Sequence, residues 1–159
     1  MEAVVERELT PYELERGKPM PDFIHALIQA NLIFELRVRY GKELRLLSEL
    51  SLATEPVGTT PDLAVYPLFA PDYDNRPARQ SKPPLCCIEI QSQSQGLEEM
   101  VEKVKIYFQF GVRSCWVVQP AIQGILVFED PKRYAFFHAD DTLRDATLGL
   151  ELPLGPVFA

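Results

Sequence analysis

The segment Leu85-Cys86-Cys87-Ile88-Glu89-Ile90-Gln91 is an almost unbroken apolar run that holds a single carboxylate. Such a run is apolar on both alternating faces, so as a strand it must be covered from both sides, which predicts a central strand of a layered α/β fold. A carboxylate there carries a desolvation cost unless it is paired or coordinates something. Glu89 is therefore the residue around which a site is expected. The strand period of two sends Glu89 and Gln91 to one face and Ile88 and Ile90 to the other, so two polar groups meet at the strand end.

The remaining sequence supplies the other layers. Residues 1–20 read as a charged arm ending in the breaker Gly17-Lys18-Pro19-Met20-Pro21. A helix is predicted from Pro21-Asp22 to about Arg39, stopped by Gly41, with Phe23, Ile24, Leu27, Ile28, Ala30, Ile33, Phe34 and Val38 as a broad, largely buried face. Strands are predicted over 43–53 and over Leu63–Pro67, the second following the turn Gly58-Thr59-Thr60-Pro61. Residues 68–84, with Pro71, Pro77, Pro83 and Pro84, read as a long loop. After Gly96 a helix is predicted from about Leu97 to Phe110. Its buried stripe is Leu97, Met100, Val101, Val104 and Phe108, with Lys103 and Tyr107 at the edge. Strands follow at Ser114–Gln119 and Gly124–Phe128, and the tail from Pro131 reads as a short edge strand that turns irregular at its prolines. The expected architecture is a single domain over 1–159 with its core at about 11–138, built as a central mixed sheet flanked by helices.

Composition bounds the function. With 47% hydrophobic and 25% charged residues the chain is an ordinary globular one. Its densest apolar stretch, Phe23 to Leu36, is broken by His25, Gln29, Asn31 and Glu35, so no membrane span is expected. Glu2, Glu6 and Glu8 stand where a secretory leader needs positive charge, and a cytoplasmic location is expected. Cys86, Cys87 and Cys115 lie in apolar strands without a Cys-x-x-Cys spacing, which predicts buried reduced thiols rather than a disulfide or zinc site. Sixteen basic against twenty-three acidic residues give a net charge of −7, which opposes non-specific binding to a polyanion. Two local basic clusters, Arg37, Arg39, Lys42, Arg45 and Arg76, Arg79, Lys82, read as solvated charge or as a phosphate rim.

A carboxylate opening one strand, Asp62, and another inside the next, Glu89, can together hold a hard divalent cation through oxygen. An ammonium beside them, Lys103, could offset charge on a phosphate. Each residue also has a plainer reading. Asp62 after Pro61 suits a turn; Lys103 suits an i,i+4 pair with Glu99; His25 on an apolar helix suits a satisfied core histidine. Glu13 suits a cap, and Glu49 lies in an apolar strand within reach of the site. Lys105, about 200 degrees round the helix from Lys103, belongs to its other flank.

Taken in order, these pieces resemble the PD-(D/E)xK nuclease superfamily and, more narrowly, the Uma-two family of short bacterial restriction-endonuclease-like proteins. The resemblance runs from about Pro11 to Phe128 through Tyr12-Glu13-Leu14 with Gly17, then His25, Pro61-Asp62, Glu89 with Ser92, and Lys103 with Tyr107. Gly111-Val112 and Cys115-Trp116-Val117-Val118 close it. It implies a restriction-endonuclease-like fold and hydrolysis of DNA phosphodiesters with Mg2+ or Mn2+. Asp62, Glu89 and the backbone carbonyl of Ile90 would hold the metal. The superfamily's strand lysine is Gln91 here, a neutral group that can orient water, and Lys103 on the following helix would supply the missing charge. The same departure admits a nuclease-fold binding or oligomeric protein without turnover. A homodimer is implied by analogy with duplex-cutting nucleases.

Overall fold

The run around Glu89 forms a strand, β3 (Cys86–Ile90), in which every residue is buried. A computed structural model of the protein describes residues 10–16 and 18–159; residues 1–9 and Gly17, with Glu2, Glu6, Glu8 and the start of the expected arm, lie outside the described residues. β3 lies inside a six-stranded sheet, where it runs parallel to β4 (Ser114–Gln119) and antiparallel to β2 (Leu63–Pro67). β1 (Leu44–Ser48) pairs antiparallel outside β2, and β5 (Gly124–Asp130) and β6 (Arg133–His138) continue antiparallel beyond β4. The sheet is therefore mixed. Among the described residues three α-helices accompany it, α1 (Pro11–Arg16), α2 (Phe23–Tyr40) and α3 (Leu97–Phe110), with a 3-10 turn at Pro120–Ile122.

Strand alternation divides the core in two. Ile28, Leu32 and Leu36 of α2 pack with Leu63, Val65, Ile88, Ile90, Trp116 and Val118 on one face of the sheet. Met100, Val104 and Tyr107 of α3 pack with Cys87, Cys115, Val117, Leu126 and Phe128 on the other. All three cysteines are free and buried. Helix α3 ends at Gly111, whose φ of 111° is a left-handed conformation that a residue without Cβ adopts cheaply, and Val112 then turns inward.

The structure corrects several expectations. The buried stripe of α2 is His25, Ile28, Leu32 and Leu36, whereas Phe23, Ile24, Leu27, Phe34 and Val38 are exposed. Nearly every turn of that helix carries apolar residues, so the pattern fixes no single inward direction. On α3, Leu97 is exposed and Tyr107 is fully buried. The strand expected over 43–53 stops at Ser48, because Glu49 has a positive φ and Leu52 makes only isolated bridges. The chain turns irregular only after Pro153, and before that β7 (Thr142–Asp145) and β8 (Leu150–Pro153) form, beyond the expected edge strand, a hairpin whose Leu143, Leu150 and Leu152 join the α2-side core. It is tied down by Asp145, which accepts hydrogen bonds from the Ser114 hydroxyl and from Trp116 Nε1. Among the described residues no helix is long and apolar enough to cross a membrane.

Candidate functional site

The register of β2 against β3 sets Leu63 opposite Ile88, and continuing it by one residue sets Asp62 opposite Glu89. Cross-strand neighbours of this kind stand about 5 Å apart at Cβ. Both side chains are buried, Asp62 at 0% and Glu89 at 2% exposure. Two carboxylates this close in a dry place require compensating positive charge.

That charge comes from Lys18. Its Nζ lies 2.6 Å from Asp62 Oδ1 and 3.1 Å from Glu89 Oε2, so one ammonium bridges the pair. The sequence offered Lys18 only as part of a Gly-Pro breaker, and no local signal marks it. Its placement depends on Glu13, which is buried and caps α1 reciprocally: the Thr10 N–H donates to Glu13 Oε1 and the Glu13 N–H to Thr10 Oγ1. Glu13 Oε2 also accepts from the Met20 N–H at 2.7 Å, folding residues 18–20 back over the sheet end.

The other partners arrive from the helices. Asp22 caps α2 by accepting from the His25 N–H, and His25 then turns inward to set Nε2 3.2 Å from Asp62 Oδ2. The same oxygen accepts from the Ile90 N–H at 2.8 Å. From α3, the Tyr107 hydroxyl donates to Glu89 Oε1, and Lys103 Nζ stands 3.9 Å from Glu89 Oε2. Lys103 thus pairs with Glu89 rather than with Glu99, while Lys105 is on the opposite flank with Glu102. Tyr107, which the sequence put at the edge of the stripe, is a central contact of the site.

Burial opposes ionisation of Asp62, but the His25 hydrogen bond and the Lys18 charge outweigh it and hold the carboxyl below the usual carboxylate range. Burial likewise opposes the charge on Lys18, and Glu89 and then Asp62 overcome it, raising the ammonium above its ordinary 10.5. The Tyr107 phenol is pushed well up, by burial first and then by the Glu89 charge. Asp62 and Lys18 are therefore held in their charged forms, as a buried ion pair.

Gln91 is not drawn into this cluster by any described hydrogen bond. Its amide nitrogen donates to the Gln95 carbonyl and its oxygen accepts from Gln119, so it lies in the wall of an adjoining cleft. Glu49 stands just past β1, where its N–H donates to the Asp62 carbonyl. Arg76, Arg79 and Lys82 lie exposed on the proline-rich loop.

For an absent divalent metal the donors are of the right kind, two carboxylates and the carbonyl-bearing backbone at Ile90. Among the described residues no group of three His, Cys, Asp or Glu side chains is arranged to hold one. The Lys18 ammonium engages an oxygen of each carboxylate, so in this arrangement an ammonium compensates the pair.

The sequence profile of the Uma2 family, described as "Putative restriction endonuclease", matches residues 6–155. No curated protein gives a match. Among solved structures, the chain is similar to a putative nuclease belonging to DUF820 from Anabaena variabilis, at a TM-score of 0.74 and 20% identity over 88% of this chain and 83% of that one. At that identity the likeness establishes the shared nuclease-type fold, a mixed sheet between helices. With the profile spanning nearly all of the sequence, the chain belongs to the Uma2 family of putative restriction endonucleases.

Proposed function

We propose that this protein is a divalent-metal-dependent endonuclease acting on DNA phosphodiesters. The observation that carries the reading is the convergence of Asp62 and Glu89, on neighbouring strands, as a buried pair that already binds a cation, the Lys18 ammonium. Held by Asp62, Glu89 and the Ile90 carbonyl, Mg2+ or Mn2+ would supply Lewis-acid polarisation of the phosphodiester. The protein's own residues do the rest. The Ile90 N–H and His25 fix the Asp62 carboxylate, and Tyr107 fixes Glu89, so the carboxylates would keep their places while Lys18 gives way. Lys103, at 15% side-chain exposure, stands on the solvent side of Glu89, from where an ammonium can meet a phosphate oxygen. Gln91, beside the same strand end, would orient the attacking water from the cleft wall.

The Lys18 bridge also favours a second reading, a nuclease-fold binding or oligomeric protein without turnover, since an ammonium on both carboxylates neutralises the site. Cleavage of supercoiled and single-stranded DNA, with and without Mn2+, in wild type, Glu89→Ala and Lys103→Ala separates the two. Metal-dependent cleavage lost in both variants supports the endonuclease. Cleavage indifferent to both rejects the site, and no cleavage by any form favours the second reading.

Assembly as a homodimer belongs to either reading. Leu27, Phe34 and Val38 stand exposed along one side of α2 at the spacings of seven and four that self-pairing helices use. Phe34→Glu should convert a dimer to a monomer by light scattering; a wild type that is already monomeric excludes the pairing.

A further inference from the structure

Beside the carboxylate pair lies a cleft of about 780 Å3 bounded by the start of α2, the β3–α3 turn and the β4–β5 connection. Two of its lining side chains carry buried polar atoms without a partner, His25 Nδ1 and Gln95 Nε2. Both side chains are oriented by their other ends. Gln95 Oε1 accepts from the Ser92 N–H at 3.0 Å, which fixes its amide the way round it is, and His25 Nε2 faces the Asp62 carboxylate. A buried polar group left unpaired is costly, and in a cleft its natural partner is a ligand.

The lining says what kind. Among the described residues no lysine or arginine lines it, which argues against a phosphate pocket. Gln91 and Gln119 add amide groups, while Phe23, 85% exposed, and Ile122, 57% exposed, offer apolar faces at its rim. The Asp22 carboxylate also lines the cleft, where it caps α2 by accepting from the His25 N–H. Amides that can read a donor–acceptor edge, next to an aromatic face, match an unpaired nucleobase. We infer that this cleft binds one unpaired base, stacked on Phe23 and read by Gln95 and His25. This rests on the nuclease reading and deepens it: His25 touches both the cleft and Asp62, so the base would sit next to the phosphodiester presented to the carboxylates. The substrate class is accordingly single-stranded nucleic acid, or a duplex with a base out of its stack.

The test leaves cleavage aside. The full chain is titrated separately with adenosine, cytidine, guanosine and thymidine, and with ribose, while NMR follows the Gln95 side-chain amide and the His25 ring. At least one nucleoside should move both sets of signals and ribose neither, and Phe23→Ala, an exposed position that does not threaten folding, should weaken the binding about fivefold or more. In parallel, a short single-stranded oligonucleotide should bind more tightly than its abasic counterpart by fluorescence anisotropy. Signals unmoved by any nucleoside, or moved as much by ribose, or an abasic strand bound as tightly as the intact one, overturn the inference. Base binding without metal-dependent cleavage would uphold the cleft and sink the endonuclease, and cleavage without base dependence would do the reverse.

Discussion

Two polar regions share one end of the sheet, and they are finished differently. In the carboxylate cluster both Asp62 oxygens, both Glu89 oxygens and the Lys18 ammonium have partners, and Asp62, Glu89 and Lys18 are each at most 3% exposed. In the cleft next to it, His25 and Gln95 each keep a buried atom unpaired, and Phe23 stands open to solvent. A closed network contributes to folding and must be opened for use, whereas an open one is ready for a ligand. His25 belongs to both, with Nε2 on Asp62 and its side chain among those that line the cleft.

The comparison predicts unequal costs of mutation, the largest in the closed network. Glu89→Ala removes a partner from Lys18 and from the buried Tyr107 hydroxyl at once, and breaking a buried pair in this way costs about 3–5 kcal/mol. Urea unfolding should show a loss of that size. A loss under about 1 kcal/mol, of the order found for exposed ion pairs, would mean that water reaches the cluster and that the contrast is false.

Next in size is the response to metal. Lys18→Met should unfold more easily than wild type without metal and recover with Mn2+, since ligand present at about a hundred times its dissociation constant adds about 2.7 kcal/mol of stability. Wild type should gain less, because there the cation displaces an ammonium that already compensates the charge. Thermal melts of both forms with and without Mn2+, with Lys18→Met/Glu89→Gln as control, check this. Equal gains in all three would place the metal elsewhere.

The pH profile follows from the same charges. The folded-state pKa of Asp62 lies below its ordinary 3.8, so the stability it contributes is present above that value and is lost as pH falls through the lower folded one. That of Lys18 lies above 10.5, so its contribution is present below that value and is lost as pH rises through the higher folded one. Lys103, His25 and Tyr107 face the same carboxylates. Urea midpoints should fall as pH drops below the acid limit. On the alkaline side Lys18→Met should lose only the Lys18 share of the fall, since burial also pushes up Tyr107 and the thiols of Cys86, Cys87 and Cys115, whose contributions are likewise lost as pH rises. A wild-type decline complete by about pH 5 would contradict the lowered Asp62.

How much of this was legible in the sequence differs between the same two regions. β2 and α3 appear at their expected bounds, and Glu89 stands out because one carboxylate in an apolar run has few explanations. The pairing of Asp62 with Glu89 is a register fact that neither segment states alone. Lys18 was invisible for a further reason. It reaches the site across 44 residues to Asp62 and 71 to Glu89, from a segment that has no periodicity and is held by backbone bonds to Glu13. The inward face of α2 differs from the one its pattern predicts because residues such as Phe23 and Phe34 look like core, and the hydrophobic pattern alone cannot tell a core face from one kept for contact with something else.

The smallest expected effect sharpens the comparison most. Phe23→Ala truncates a large aromatic side chain, which at a core position would cost about 3–5 kcal/mol. At 85% exposure the ring contributes little to the folded state, and the change in stability should stay within about 0.5 kcal/mol. Measured side by side in urea, Glu89→Ala and Phe23→Ala should then lie at opposite ends of the scale, although one removes a polar group and the other an apolar one. Hydrophobicity would rank them the other way. If Phe23→Ala destabilises as much as Glu89→Ala, the ring is folded onto the protein in solution, the cleft is closed over, and the two regions are one continuous core.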